Sequence, residues 1–154
     1  MKIMVSGDAM RLKMRETGRQ RQKKTKWNWS KTPQINWGTW SIKAKPSERN
    51  KIKSLSGNNM TALFDLAKMP QDIEIRSWSN GDTMRPFGFD KTVHLKKIFE
   101  NKKIAEEEKT SYPVFCVPDT CEIIWLGGLR RSDFAPVEKS AKVLLFTLNR
   151  KNRH

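Results

Sequence analysis

At 154 residues the chain has room for one domain and an extension, and a hydrophobic content of 36% implies that part of it lies outside any core. A formal net charge of +15 calls for a polyanionic partner and for fast, salt-sensitive association. No apolar run reaches the length of a spanning helix and no basic amphipathic helix shows a broad apolar face, so the expected partner is nucleic acid and not a membrane.

The charge is unevenly placed. Residues 1–60 hold 15 Lys and Arg against 3 Asp and Glu, whereas residues 61–154 hold 16 against 13. Residues 1–34 are therefore expected to form a basic, weakly ordered arm. Within it, residues 11–26 carry Glu16 as their only acid, and no apolar periodicity survives past Met14. Trp27 and Trp29 suit either the first strand of the fold or an RNA-stacking element, with the strand preferred. The segment Met1-Lys2-Ile3-Met4-Val5 contains no apolar stretch of signal-peptide length, so a cytoplasmic protein is expected, although residues 1–26 also fit an organellar transit peptide.

A domain is expected over residues 35–149, followed by a basic tail at 150–154. Trp40, Ile42 and Ala44 alternate with Ser41, Lys43 and Lys45, the period of a half-buried strand. Residues 46–59 read as a loop, with Ile52 and Leu55 lending it a short strand. Ala62-Leu63-Phe64 is a brief apolar run ending at Asp65, and Pro70 precedes a strand over 72–78 in which Ile73 and Ile75 oppose Glu74 and Arg76. After a turn at Gly81-Asp82 comes a helix over 94–101, with Leu95, Ile98 and Phe99 as its apolar stripe and Lys96 and Lys97 facing outward. A helical turn over 105–109 opens on three glutamates. Strands over 112–117 and 121–126 form a hairpin, Gly127-Gly128 turns the chain, and 142–148 is the last strand. Many strands with one or two short helices make an α+β domain.

The two cysteines, Cys116 and Cys121, flank the hairpin turn. They could face each other, but two thiols make no disulfide framework and are read as reduced core residues; neither His94 nor His154 stands at zinc-ligand spacing from them.

Some of these motifs occur in a fixed order. The matching positions are Ile75, Arg76, Trp78, Gly81, Asp82, Pro86 and Gly88, then Lys96, Lys97, Phe99, Lys103 and Ile104, and finally Ile123, Ile124, Trp125, Gly128 and Arg130. In this order they resemble the C-terminal domain of tRNA(Ile)-lysidine synthetase, the ligase that uses ATP to join lysine to the wobble cytidine of an isoleucine tRNA. The resemblance covers residues 60–149. Thr83 stands where the family usually has an arginine, with Arg85 as a displaced basic residue, and Asp90-Lys91-Thr92-Val93 replaces a loop that tends to read Lys-Gly. The family's ATP loop, Ser-Gly-Gly-x-Asp-Ser, has no counterpart, because Ser6-Gly7-Asp8 lacks its second glycine and closing serine. The resemblance implies a compact, three-layered α+β domain with a β-sandwich, akin to one in the phenylalanyl-tRNA synthetase β subunit. It implies a module that holds the tRNA acceptor stem, with ATP and lysine used by a separate ATP-pyrophosphatase catalytic part.

Candidate binding residues follow from what an RNA helix offers. Its deep major groove hides the base edges and leaves phosphates and 2′-hydroxyls for cations spaced along a surface. Nine side chains cluster in the motif order: Arg76, Arg85, Lys91, Lys96, Lys97, Lys102, Lys103, Arg130 and Arg131. Lys96 and Lys97 equally fit the solvated face of an amphipathic helix. Gly81, Asp82, Pro86 and Gly88 are assigned to turns, with glycine supplying positive φ and Asp82 capping backbone N–H groups. Six tryptophans tilt the partner toward RNA, although Trp78 and Trp125 have the apolar neighbours of core residues. No catalytic residue, metal site or cofactor is expected in this chain, because Asp65, Asp82 and Asp133 form no acid/base or metal pair. The expected function is tRNA docking for the lysidine ligase. The alternative is a stand-alone, non-enzymatic RNA- or ribonucleoprotein-binding protein that reuses the module, and a protein-interaction domain with incidental charge ranks third.

Overall fold

The computed structural model describes residues 24–51, 60–137 and 142–151. The greater part of the expected arm and the short strand at Ile52 and Leu55 lie outside them. In chain order the strands are β1 (Thr25–Asn28), β2 (Gln34–Trp37), β3 (Trp40–Glu48), β4 (Thr61–Asp65), β5 (Asp72–Arg76), β6 (Thr83–Met84) and β7 (Val93–His94). Helix α1 (Leu95–Asn101) and a 3-10 helix (Glu106–Ser111) follow, then β8 (Val114–Cys116), β9 (Ile123–Leu126), β10 (Arg130–Arg131) and β11 (Lys142–Arg150).

One sheet runs β10-β9-β8-β5-β1, a second runs β2-β3-β11-β4, and β6 and β7 form a separate two-stranded ribbon. The main core lies between the two larger sheets. Trp27, Ile73, Ile75, Phe115 and Trp125 come from one of them, and Trp40, Ile42, Phe64, Leu144, Phe146 and Leu148 from the other. The opposite face of the five-stranded sheet is also covered. Val114, Cys116, Ile123 and Leu126 pack there against Leu95, Ile98 and Phe99 of α1 and against Trp78. Two sheets and a helical cover make the three layers expected of an α+β domain.

Local sequence explains the departures from simple alternation. Along β8, Val114 and Cys116 face the helix while Phe115 faces the other sheet. A register shift between Ile123 and Trp125 lets both Ile124 and Trp125 face the inter-sheet core. Residues 46–48, expected to be loop, instead continue β3, paired with β11 up to Glu48 opposite Lys142. Pro46 is tolerated because N–H groups two residues apart point to one side of a strand. The Ala44 N–H bonds Pro33, whereas β2 pairs with β3 only as far as Lys43. Pro46 therefore lacks a donor where no partner strand runs.

The folded region begins ahead of residue 35. Strand β1 pairs with β5, placing Trp27 opposite Ile73, and Trp27 and Trp29 are both buried. The other boundary also moves, since β11 runs to Arg150 and the Lys151 N–H bonds the Thr39 carbonyl. All six tryptophans are buried, which removes them from any role as base-stacking surfaces. Indole burial leaves a donor to satisfy. Trp27, Trp29 and Trp40 donate to the carbonyls of Thr32, Pro70 and Ser111. Cys116 is buried as expected but Cys121 is exposed. Burial pushes the Cys116 thiol up to about 11, and it donates weakly to the Glu74 carbonyl at 3.7 Å.

Candidate nucleic-acid interface

The turn between β5 and the ribbon is built around one carboxylate. Asp82 Oδ2 accepts from the Ser79 N–H at 2.7 Å, and the Asp82 N–H returns a bond to the Ser79 carbonyl. Gly81 sits at φ 99°, the left-handed region a side chain would resist. Arg76 then grips Asp82 with both arms of its guanidinium, at 2.8 and 3.1 Å. Its third hydrogen bond goes to the Ser77 carbonyl, and Nε lies 3.9 Å from Glu74 Oε2. The bonded carboxylate holds the Arg76 pKa above its ordinary range, so the guanidinium stays charged. Arg76, expected to contact RNA, is placed with its guanidinium against Asp82 and only 17% of its side chain exposed.

From this turn the ribbon projects, with Thr83 opposite His94 and Met84 opposite Val93. The Leu95 N–H bonds the Asp82 carbonyl, which ties the start of α1 to the same turn. At the ribbon tip, the buried Pro86 bridges to Ser132, the Phe87 N–H bonds Arg131 O, and the Asp133 N–H bonds Arg85 O. A tight turn follows in which the Phe89 N–H bonds Pro86 O and Gly88 lies at φ 86°. Gly81, Asp82, Pro86 and Gly88 all lie in these two turns.

Arg131 departs from expectation in the same way as Arg76. Its Nε and Nη2 donate to Leu63 O at 3.0 and 2.7 Å, and Nη2 also reaches Phe134 O and Ala135 O. The guanidinium lies 4.4 Å from the Phe64 ring centroid. Burial pushes its pKa down to about 10, so it stays charged at neutral pH. Arg131 therefore joins the loop after β10 to strand β4.

The remaining candidates are exposed or partly so. Arg85 pairs with Asp133 at 3.1 Å but leaves more than half its side chain in solvent. Lys91 is exposed on the ribbon loop, Lys96 and Lys97 on the outer face of α1, and Lys102 and Lys103 at its end. That end is a Schellman motif: the Ile104 N–H bonds Phe99 O, the Lys103 N–H bonds Glu100 O, and Lys103 takes φ 58°. Arg130 is half-buried, its guanidinium 4.8 Å from the Phe89 ring centroid. One ribbon–helix unit thus carries six exposed cations, with Arg130 on the strand it bonds. The other two members of the sequence cluster hold the unit in place.

Sequence reasoning missed three side chains. Lys109 is a buried cation, paired with Glu106 at 2.8 Å and lying 5.3 Å from the centroid of Trp78 and 5.7 Å from that of Phe99. Phe87 and Phe89 are the large hydrophobics that stay exposed among the described residues, at 54% and 51%. The signal was Phe-Gly-Phe after a proline, because a turn this tight cannot bury the rings on both sides of its glycine. The three aspartates weighed as catalytic candidates each have a local partner: Asp65 caps the Ala67 N–H, Asp82 binds Arg76 and Asp133 binds Arg85. Among the described residues no three His, Cys, Asp or Glu side chains converge, and no helix is long and apolar enough to cross a membrane.

Residues 73–146 match the family model described as the TilS substrate C-terminal domain. This region is similar to the TilS C-terminal domain family. A crystal structure of a TilS C-terminal domain superposes with a TM-score of 0.65 at 25% identity, covering 74% of this chain and 86% of that one. The tRNA(Ile)-lysidine synthase of Clostridium acetobutylicum is 35% identical over 91 residues, which is 59% of this chain and 19% of that protein. That of Caldanaerobacter subterraneus subsp. tengcongensis is 28% identical over 108 residues, 70% of this chain and 23% of that protein. The chain thus spans about a fifth of the length of these relatives. An N-terminal fragment of the phenylalanyl-tRNA synthetase β subunit from Pyrococcus horikoshii shares the fold, with a TM-score of 0.50 at 16% identity over 59% of this chain and 28% of that one.

Proposed function

We propose that this chain is the tRNA-docking module of a lysidine ligase, binding the acceptor stem through phosphates and 2′-hydroxyls. In this reading ATP and lysine are handled by a separate ATP-pyrophosphatase domain or subunit, in the cytoplasm. The observation that carries it is the placement of Arg85, Lys91, Lys96, Lys97, Lys102 and Lys103 on one exposed ribbon–helix unit. An A-form duplex is recognised by its backbone, and cations held on a rigid unit suit that better than cations on a free tail. Lysines supply point charges and Arg85 a planar fork, so affinity is expected to be electrostatic and weakly dependent on sequence.

The test is binding of the full chain to isoleucine tRNA over a salt series. Each phosphate contact removed should shallow the slope of log K against log salt by about 0.9. Lys96→Gln combined with Lys97→Gln should therefore flatten it by nearly two, with the fold intact. An unchanged slope in that double variant overturns the interface. Capture of ribosomal RNA in place of tRNA overturns the ligase assignment, and ATP hydrolysis by the chain alone overturns its non-catalytic role.

A further inference from the structure

A duplex-binding rim has no use for exposed phenyl rings, yet the ribbon tip carries two. Phe87 and Phe89 flank Gly88 at the apex of the turn, and nothing lies within 4 Å of where a Gly88 side chain would begin, so the apex is open. Each ring is backed by a cation: the Arg131 guanidinium lies 5.1 Å from the Phe87 centroid and that of Arg130 lies 4.8 Å from Phe89. The backbone bond from Phe87 to Arg131, the Pro86–Ser132 bridge and the Arg85–Asp133 ion pair fix the tip against the sheet. Exposed rings in a cationic setting, held on a fixed turn, suit the flat faces of unpaired bases, which stack on aromatic side chains whatever their sequence. All six tryptophans are buried, which leaves Phe87 and Phe89 as the exposed large aromatic surfaces among the described residues.

We infer that Phe87 and Phe89 are a stacking platform for unpaired nucleobases at the end of the bound RNA duplex. This rests on the docking role proposed above and adds to it a single-stranded segment of substrate. The guanidiniums behind the rings make each base–phenyl stack part of a longer cation–π sandwich.

The experiment compares two RNA hairpins with the same stem of about a dozen base pairs, one blunt and one ending in a few unpaired 3′ nucleotides. Wild-type chain should bind the tailed hairpin about tenfold or more tightly than the blunt one. Phe87→Ala with Phe89→Ala should erase that preference, leaving the affinity for the blunt hairpin within about twofold and the salt slope unchanged, because a ring carries no charge. Phe87→Leu with Phe89→Leu should fail equally, whereas Phe89→Trp should retain the preference and alter the fluorescence of 2-aminopurine placed in the tail. Equal binding of both hairpins by wild type, or full affinity with leucine at both positions, overturns the platform while leaving the docking role standing. Binding of neither hairpin overturns the docking role itself. Protection of the two rings by a protein partner, with no response to the tail, assigns them to a protein contact and overturns the inference.

Discussion

Replacing Asp82 by alanine tests whether Arg76 is a strut or an RNA ligand. The change deletes two charge-assisted bonds from the guanidinium and one from the Ser79 N–H, and strands a cation whose side chain is only 17% exposed. Breaking a fully buried pair costs about 3–5 kcal/mol, and partial access to water, the surviving bond to Ser77 O and the Glu74 carboxylate 3.9 Å from Nε bring the expectation to about 3 kcal/mol. For a domain of this size that lowers Tm by about 15 °C. Arg76→Met should cost slightly less, and the double variant should fall short of the summed effects by about 2 kcal/mol, the coupling expected of groups in contact. Urea unfolding followed by the buried tryptophans measures all three variants. Arg76→Met should also leave the salt slope of RNA binding unchanged. Additive destabilisation, or a stable Arg76→Met variant with a flatter slope, would refute the strut.

Arg131→Lys should lower stability by about 3 kcal/mol in the same assay, since one ammonium cannot serve Leu63, Phe134 and Ala135 carbonyls together. Lys103→Gly should raise stability by about 0.5–1 kcal/mol, because the left-handed C′ position strains any residue with a Cβ while glycine returns part of the gain as chain entropy. A lower urea midpoint for that variant would show the position to be unstrained. The Cys116 thiol is raised in the folded state, so its contribution is fully present below the ordinary thiol pKa and is lost as pH climbs toward about 11. Stability should therefore fall between about pH 9 and 11 more steeply in the native protein than in Cys116→Ala, and in native conditions a thiol reagent should label Cys121 well before Cys116.

The fold was readable where side-chain period and turn chemistry agree. The split of Ile73 and Ile75 from Glu74 and Arg76, the stripe of Leu95, Ile98 and Phe99, and the hairpin around residues 117–121 are all present. Strand ends were less legible. The second half of β3 contains a proline and two polar residues, and it is held in register by β11, about a hundred residues away in sequence, a tertiary effect that no local window contains. Trp27 and Trp29 lie beside a cationic run that masks their strand, and only the pairing with β5 decides their burial.

The site was half legible for a related reason. Composition identifies arginines near a turn but not the direction in which they point, and parity alone made Arg76 appear solvent-facing, on the opposite side of β5 from Ile73 and Ile75. That face of the sheet is covered by α1 and its ribbon, so the cation lies beneath the unit it was expected to decorate and spends its donors on Asp82 and Ser77. Arg130 and Arg131 are adjacent and therefore face opposite ways, one toward Phe89 at the rim and the other into the carbonyls of β4 and the following loop. A buried guanidinium with five fixed donors can tie several loops together, which an ammonium cannot do. In this domain Arg76 and Arg131 organise the surface from beneath, and five lysines on the ribbon–helix unit supply most of its free charge.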